Sequence, residues 1–315
     1  MKLAVVFPGQ GSQAVGMMNG WAGVSVVRDT FAEASEALGE DLWKLVQEGP
    51  EEALNSTINT QPAMLAAGVA AWRAWRIGGG HTPEMMAGHS LGEFSALVAA
   101  GALALKDAIP LVRYRAQMMQ QAVAEGAGGM AAVLGLDDAG IIAACAAAAQ
   151  GEVVEAVNFN APGQVVIAGT KAAVERAVAA AKERGAKRAM LLPVSVPSHC
   201  ALMKPAAEKL AVYLQDVPLT VPKIPVFHNV DVAVATSPEA IREALVKQLY
   251  HPVRWVDTVQ AFVAQGATHL LECGPGKVLV GLNKRIAASM TPFALTDKDA
   301  LASARAGIQG EGPCC

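Results

Sequence analysis

Charged and aromatic residues are scarce in this chain. Of its 315 residues, 17% are charged and 5% are aromatic, and the formal net charge is −3 at pH 7. A nucleic-acid-binding surface needs clustered Lys and Arg side chains to meet phosphates, commonly with aromatic residues between them. The sequence has no basic segment of this kind, so the composition argues against a nucleic-acid partner.

A long uncharged apolar run is also missing. A helix that crosses a membrane needs about 20 consecutive, mostly apolar residues, and no segment reaches that length. The apolar part of the N-terminus, Leu3–Phe7, is too short for a signal peptide and is ended by Pro8. We therefore expect no membrane partner.

The cysteines and histidines show no metal-binding pattern. Five cysteines are present, without zinc-site spacing or a disulfide framework: Cys145, Cys200, Cys273, Cys314 and Cys315. No pair of histidines has the spacing of metal ligands on one helix face. We expect no metal site, and free thiols favour the reducing cytoplasm as the location. The adjacent Cys314 and Cys315 are interpreted as part of a tail.

The most informative motif is G-x-S-x-G, which occurs at Gly88-His89-Ser90-Leu91-Gly92. A short apolar run precedes it, and the pattern of residues 91–100 predicts a helix after it. A serine on a tight turn between a strand and a helix is typical of a nucleophile elbow. The N–H groups at the start of the helix, Leu91's among them, can stabilise an oxyanion. The alternative is an ordinary glycine-lined turn.

A second glycine-containing loop follows the first predicted strand. Residues 8–13 read PGQGSQ, which has neither the spacing of a P-loop nor that of a dinucleotide-binding motif. Open α/β sheets place ligands at the carboxyl ends of their strands. The loop is therefore interpreted as a second source of oxyanion-binding N–H groups.

The pattern changes after the glycine-rich residues 126–129. Strands are predicted at 130–134, 153–157, 165–168 and 188–192, and helices at 138–149 and 171–184. This strand-helix-strand-strand-helix-strand order is that of a ferredoxin-like unit. Asn158 and Asn160 are placed in its central turn. We predict a catalytic core at 1–126 and 195–300, an inserted subdomain at 127–194 and a poorly ordered tail at 301–315.

His199 is the histidine best placed to act as a base for Ser90. It follows a proline-stiffened segment that returns from the predicted insert to the core, although a loop histidine without a role is the alternative. The aspartates between the two residues, Asp107, Asp137 and Asp138, all lie where a helix is predicted to begin, so N-capping explains them. A Ser-His pair held by a backbone carbonyl or an amide would need no acid.

Two arginines, Arg113 and Arg115, lie on the helix predicted from residue 106 to about 125. Residues two apart on a helix face different directions, so at most one of them points into a given pocket. An arginine beside a serine nucleophile would suit a substrate carboxylate, because its guanidinium can bind both oxygens. The residues alone favour surface positions for both.

Taken together, the chain resembles the malonyl-CoA:acyl-carrier-protein transacylases of bacterial fatty-acid synthesis over residues 1–288. The GHSLG motif is shared with many hydrolases, whereas FPGQGSQ combined with a later VPSH is far more specific. The matching segments are FPGQGSQ (7–13), GHSLG (88–92), YR (114–115), NFN (158–160), PGQ (162–164), VSVPSHC (194–200) and ECGPGK (272–277).

The resemblance implies an α/β-hydrolase-like core with a parallel sheet and an inserted ferredoxin-like subdomain. It implies that Ser90 is the nucleophile and that His199 is the general base and then the general acid. Arg115 would bind the free malonyl carboxylate, against the surface interpretation. The main-chain carbonyl of Gln248 would orient the His199 imidazole, which agrees with the missing acid.

The resemblance also implies the remaining site residues. Backbone N–H groups of Gln10 and Leu91 would form the oxyanion hole, and Gln61, His89 and Asn158 would line the active site. The implied donor is malonyl-CoA, which is a substrate rather than a cofactor, and the implied acceptor is an acyl-carrier protein. No cofactor is expected.

The expected function is transfer of malonyl from malonyl-CoA to the carrier's phosphopantetheine thiol, supplying fatty-acid elongation. Acyltransferases of polyketide synthesis or malonate decarboxylation share the fold and motifs, so they remain alternatives. A serine thioesterase or hydrolase would share Ser90 and His199 but would release free malonate. A binding module without chemistry would leave the elbow unexplained.

Overall fold

The computed structural model describes residues 1–194 and 196–310. Its strands form two separate sheets, one with five strands and one with four. The strands are β1 (Leu3–Phe7), β2 (Met85–Gly88), β3 (Gly128–Leu134), β4 (Val154–Ala161), β5 (Gln164–Thr170), β6 (Arg188–Leu191), β7 (Val226–Phe227), β8 (His269–Cys273) and β9 (Thr291–Leu295).

Helices connect the strands and cover the sheets. They are α1 (Ser25–Leu38), α2 (Leu42–Glu48), α3 (Glu51–Asn55), α4 (Thr57–Ile77), α5 (Gly92–Ala99), α6 (Leu105–Gln121), α7 (Asp138–Ala149), α8 (Lys171–Glu183), α9 (Lys204–Tyr213), α10 (Pro238–Gln248), α11 (Trp255–Ala264), α12 (Val278–Ile286) and α13 (Lys298–Gln309). Two 3-10 turns lie at Asn19–Trp21 and Ala201–Met203.

The five-stranded sheet is parallel and has the order β7-β2-β1-β8-β9. All residues of β1 and β2 are buried, as expected for strands covered by helices on both faces. In the register between these strands, Phe7 lies beside Gly88. The loop after β1 and the turn after β2 therefore leave the sheet side by side, at its carboxyl edge.

The four-stranded sheet is antiparallel and has the order β4-β5-β3-β6. This is the order of a ferredoxin-like unit, and α7 and α8 pack together over the apolar residues of one face. The predicted fold class is confirmed. The placement of Asn158 and Asn160 in a turn is wrong, because both lie in β4. The exact limits of core and insert remain a proposal, which the two separate sheets support.

The insert is held to the core by backbone hydrogen bonds. Phe159 N donates to Val253 O at 3.1 Å, and Val253 N donates to Val157 O at 2.8 Å. On the same side, Arg285 of α12 donates to Pro162 O at 3.1 Å, in the turn between β4 and β5. These contacts fix β4 against the core beside the carboxyl edge of the parallel sheet.

The prediction of a poorly ordered tail from residue 301 is wrong as far as the structure describes it. β9 adds a fifth strand to the parallel sheet, and α13 continues to Gln309. Asp297 caps α13 by accepting from Ala300 N at 2.7 Å, and Ala304 and Ile308 are buried. Residues 311–315, with Cys314 and Cys315, lie outside the described residues.

The described residues offer neither a membrane-spanning helix nor a cluster of metal ligands. No helix is both long and apolar enough to cross a membrane. No group of three or more His, Cys, Asp or Glu side chains is arranged to hold a metal ion within residues 1–194 and 196–310.

Candidate active site

The turn between β2 and α5 has the geometry of a nucleophile elbow. Ser90 has a φ of 52°, in the left-handed region that side chains rarely adopt. A Cβ at Gly88 would lie 1.8 Å from Gly92 C, and a Cβ at Gly92 would lie 2.1 Å from Phe7 O. Only glycine fits at either position, which explains the spacing of the motif around Ser90.

Ser90 and His199 form a hydrogen-bonded pair. Ser90 Oγ lies 2.8 Å from His199 Nε2, and His199 Nδ1 lies 2.7 Å from the main-chain oxygen of Gln248. A carbonyl oxygen only accepts, so Nδ1 carries the proton and Nε2 is free to accept from the serine hydroxyl. The backbone of His199 is itself left-handed, with a φ of 66°.

The surroundings of His199 keep its imidazole neutral. The side chain is buried, and burial together with the positive charge of Arg115 lowers the pKa of His199 to about 3. The hydrogen bond to Gln248 O acts in the opposite direction but is weaker. A neutral imidazole is the form that accepts a proton from an attacking hydroxyl.

Arg115 lies inside the site, and the surface interpretation drawn from the residues alone is wrong. The residue is 1% exposed. Its Nη1 donates to Gln61 Oε1 at 2.7 Å, and its Nη2 donates to Gln248 Oε1 at 2.9 Å and lies 3.4 Å from Ser90 Oγ. Arg113 faces the other way and pairs with Glu40 at 2.8 Å.

Among the residues that the structure describes, no anion is in direct contact with the positive charge of Arg115. Its hydrogen-bond partners are neutral, and its Nε has none among the described residues. Burial lowers the pKa of Arg115 to about 10, although the charge of Glu93 raises it, so the guanidinium is cationic at neutral pH. A buried, unpaired cation beside a nucleophile suits a ligand that brings its own negative charge.

The loop after β1 lies directly against the elbow. A Cβ at Gly9 would lie 2.6 Å from His89 O, so the two backbones are in contact. Gln10 follows, and its side chain turns away to accept from Thr57 Oγ1 at 2.8 Å. The main-chain N–H of Gln10 is thereby placed beside the turn that carries Ser90.

The hydrogen bonds of the elbow single out one free N–H group. Ser90 N donates to Asn229 Oδ1 at 2.7 Å, and Gly92 N donates to His89 O at 2.9 Å. Between them, Leu91 N meets no acceptor within the part of the chain that the structure describes. Its N–H is thus available to a ligand at the N-terminus of α5, where the helix dipole favours negative charge.

His89 turns toward the insert rather than toward His199. Its Nε2 donates to Asn160 Oδ1 at 2.7 Å, and its ring packs on Trp255 at 5.4 Å between centroids. Burial lowers the pKa of His89, and the hydrogen bond that its ring donates to Asn160 opposes this effect. Asn160 was missed as a site residue. Alternate residues of a strand share a face, so reading β4 as a strand would have grouped it with Asn158.

The other two predicted lining residues are buried polar side chains. Gln61 is fully buried in α4 and orients its amide oxygen toward Arg115. Asn158 is 9% exposed, and its Oδ1 has no hydrogen-bond partner within residues 1–194 and 196–310. An unpaired buried acceptor is costly unless a ligand or water satisfies it.

Three further buried residues were not found from the sequence. Glu93, His228 and Asn229 are at most 1% exposed and form a polar cluster beneath Ser90. The cluster reaches the elbow through Asn229, which binds Ser90 N, and through Gln248. The available signal was a Glu directly after the elbow motif and a His-Asn pair directly after the apolar residues Val226 and Phe227.

Comparison with known proteins identifies the family. The family model of the acyl transferase domain matches residues 4–294. The malonyl CoA-acyl carrier protein transacylase of Escherichia coli strain K12 is 60% identical over 304 residues, which cover 96% of this chain and 98% of that protein. The chain belongs to this transacylase family. The resemblance expected from the sequence motifs is confirmed.

Solved structures of family members share the whole fold. An acyl carrier protein S-malonyltransferase from Vibrio cholerae matches with a TM-score of 0.95 at 59% identity, over 96% of this chain and 100% of that chain. A malonyl-transacylase solved with a type II PKS acyl-carrier protein matches with a TM-score of 0.96 at 57% identity, over 98% of this chain and 100% of that one. The acyl transferase architecture of sheet and insert is therefore shared along nearly the full length.

Proposed function

We propose that the protein transfers the malonyl group of malonyl-CoA to the phosphopantetheine thiol of an acyl-carrier protein, supplying fatty-acid elongation. The names of the relatives supply the donor and the acceptor. The observation that carries the proposal is Arg115, a buried cation with neutral partners, 3.4 Å from the hydroxyl of Ser90. An acyl group with a free carboxylate, such as malonyl, satisfies that cation while its thioester meets the serine.

In the first half-reaction, Ser90 Oγ attacks the thioester carbonyl carbon while its proton passes to His199 Nε2. The N–H groups of Gln10 and Leu91 bind the oxyanion of the tetrahedral intermediate. When the intermediate collapses, the carbon–sulfur bond breaks and His199 gives its proton to the sulfur. CoA leaves as a thiol, and the malonyl group stays on Ser90 as an ester.

In the second half-reaction, the pantetheine thiol of the carrier takes the place of CoA. His199 Nε2 removes the thiol proton, and the sulfur attacks the ester carbonyl carbon. Collapse breaks the bond to Ser90 Oγ, and the proton on His199 returns to that oxygen. The protein is regenerated, and because each acyl group passes through Ser90, the kinetics are ping-pong.

The remaining site residues orient the malonyl group. Arg115 binds its carboxylate through a charge-assisted, two-pronged contact, and Gln61 holds the guanidinium from one side. Gln248 holds it from the other side and orients His199 with its main-chain oxygen. His89 and Asn158 line the space toward the insert. The site thus lies between the proposed core, 1–126 and 195–300, and the proposed insert, 127–194.

The proposed location is the cytoplasm. Cys145, Cys200 and Cys273 are buried free thiols, and such thiols persist in a reducing compartment. No step of the proposed reaction calls on a group other than protein side chains, backbone N–H groups and the two thiol substrates.

A carrier of polyketide synthesis is the second candidate acceptor. The solved relative at 57% identity was captured with a type II PKS acyl-carrier protein, and its fold is shared by this chain. Offering the malonyl-protein one carrier of each kind, and comparing the transfer rates, distinguishes the two acceptors.

The first test is the intact mass of the protein after brief mixing with malonyl-CoA and no acceptor. Wild type should gain one malonyl group, Ser90→Ala should gain none, and Ser95→Ala on the same helix should behave as wild type. Addition of holo-carrier should then remove the adduct and produce malonyl-carrier. Free malonate without an adduct would favour a hydrolase instead.

A further inference from the structure

A buried carboxylate lies beneath the nucleophile, and the mechanism above does not use it. Glu93, in the first turn of α5, is 0% exposed. Its Oε1 accepts from His228 Nδ1 at 2.7 Å, and its Oε2 accepts from Asn229 N at 3.0 Å and from Gln248 Nε2 at 2.9 Å. A charge this deeply buried is tolerated only when its lone pairs are satisfied, so these three donors are firmly bound to it.

Two of these partners reach the backbone of the elbow. Asn229 Oδ1 accepts from Ser90 N at 2.7 Å, and Asn229 Nδ2 donates to Gly88 O at 2.7 Å. Gln248 Nε2 donates to Ser90 O at 3.0 Å. The polar groups on both sides of the nucleophile are therefore bound by the side chains of two residues that Glu93 contacts, Asn229 through its main-chain N–H and Gln248 through its side-chain amide.

Gln248 connects the carboxylate to two separate catalytic functions. Its main-chain oxygen orients His199, and its Oε1 accepts from Arg115 Nη2. Because Nε2 is taken by the acceptors on Glu93 and Ser90, the amide oxygen has to face the guanidinium. A rotation of this amide would place its N–H groups against Arg115 and repel it.

We propose that Glu93 is a positioning residue for malonyl transfer. Its carboxylate fixes the orientation of the Gln248 amide, and through Gln248 it sets the place of Arg115, while Asn229 secures the Ser90 backbone. Glu93 contacts neither His199 nor the acyl group, so it differs from the acid of a Ser-His-Asp triad. This inference rests on the proposed function, because Arg115 matters only if the acyl group carries a carboxylate.

The position of His228, on the opposite side of Glu93 from Gln248, allows a conservative substitution of Glu93 that keeps the hydrogen bonds. His228 Nε2 has no hydrogen-bond partner within residues 1–194 and 196–310. In Glu93→Gln the new amide can donate to Nδ1 of a neutral His228 whose proton has moved to Nε2, while its oxygen still accepts from Asn229 and Gln248. Glutamine thus keeps the geometry, whereas alanine removes it and aspartate draws the oxygens back by about 1.5 Å, one carbon–carbon bond.

The test is the ratio of kcat/KM for malonyl-CoA to kcat/KM for acetyl-CoA. A variant that is merely less stable loses both activities equally and keeps its ratio. We expect Glu93→Ala and Glu93→Asp to lower the ratio about tenfold or more, since Arg115 loses the acceptor that places it. Glu93→Gln should restore the ratio to within about threefold of wild type, because its hydrogen bonds are retained.

A matched control is available at Glu272, another carboxylate that is 0% exposed. It accepts from Leu279 N at 3.1 Å and Val280 N at 2.8 Å. Glu272→Ala should lower the unfolding temperature and leave the ratio unchanged. If Glu93→Ala does not fold, Glu93→Asp, which keeps the charge, decides the question.

Three outcomes would overturn the role of Glu93: an unchanged ratio in both Glu93→Ala and Glu93→Asp, an equal fall in the control, or no recovery in Glu93→Gln. These outcomes are distinct from a failure of the proposed function. If wild type formed no malonyl adduct or used acetyl-CoA equally well, the malonyl transfer itself would be wrong.

Discussion

Replacing Arg115 by methionine should remove the expected preference of the protein for malonyl-CoA over donors whose acyl group has no carboxylate. Methionine fills part of the same buried volume but brings no charge. The carboxylate of malonyl would then enter a pocket in which Gln61 and Gln248 offer oxygens rather than donors on that side. In the variant, the malonyl carboxylate is therefore a buried anion without a partner.

The size of the expected loss follows from the burial of the ion pair between Arg115 and the malonyl carboxylate. Arg115 is 1% exposed, and breaking a buried ion pair by removing one partner costs about 3–5 kcal/mol. At about 1.4 kcal/mol for each tenfold change, kcat/KM for malonyl-CoA should fall by between roughly 10² and roughly 4 × 10³. Acetyl has no carboxylate, so its use should change little, apart from the weak contact of 3.4 Å between Arg115 and Ser90 Oγ.

The assay is acyl transfer from malonyl-CoA and from acetyl-CoA, normalised to the amount of Ser90 that can be acylated. Arg113→Met is the matched control, because Arg113 lies on the same helix and pairs with the half-exposed Glu40. Such a surface pair contributes about 0–1 kcal/mol, so the control should resemble wild type. An equal fall for both donors in Arg115→Met would refute the assignment of Arg115 to the malonyl carboxylate.

Three further predictions concern the elbow and its base. Acylation of Ser90 should not slow between pH 8 and pH 5, because a pKa of about 3 keeps His199 neutral; a rate that halves near pH 6.5 would contradict this. The free energy of unfolding should fall by up to about 1.4 kcal/mol per pH unit below pH 6.5, because His199 takes up a proton there only when the protein is unfolded. Urea titrations should show a smaller loss in His199→Asn. Gly92→Ala should abolish the malonyl adduct, because its Cβ would lie 2.1 Å from Phe7 O; a normal adduct would show that the elbow tolerates a side chain.

Local patterns were sufficient to predict the elbow and much of the fold. The glycines at 88 and 92 are required by a contact within the turn itself, so their spacing carries the information. The ferredoxin-like insert was predicted because its strands and helices alternate clearly between turn residues. Its β4 is longer than predicted, since Asn158, Phe159 and Ala161 continue the pairing with β5, and Asn158 also pairs with Val253.

Features that depend on distant contacts were not predictable from the residues alone. Arg115 could not be separated from Arg113 by helical spacing, because the choice depends on where α4 and α10 place Gln61 and Gln248. Only the family resemblance placed Arg115 correctly. The last helix, α13, was missed because its alanines and its one glycine carry little apolar signal until Ala304 and Ile308 are seen to be buried.

The left-handed backbones of Ser90 and His199 have a consequence for engineering. Each such conformation costs about 1–3 kcal/mol for a residue with a side chain, and glycine would relieve it. Ser90 is only partly buried, so glycine there would lose little packing, and the fold would gain stability by giving up its chemistry. At His199 the same change would leave a cavity and an unpaired Gln248 O, which outweighs the relief. A directed-evolution campaign that screens for heat resistance alone would therefore be drawn toward glycine at Ser90. Such a screen has to include acyl transfer in every round, or the most durable variants will be inert.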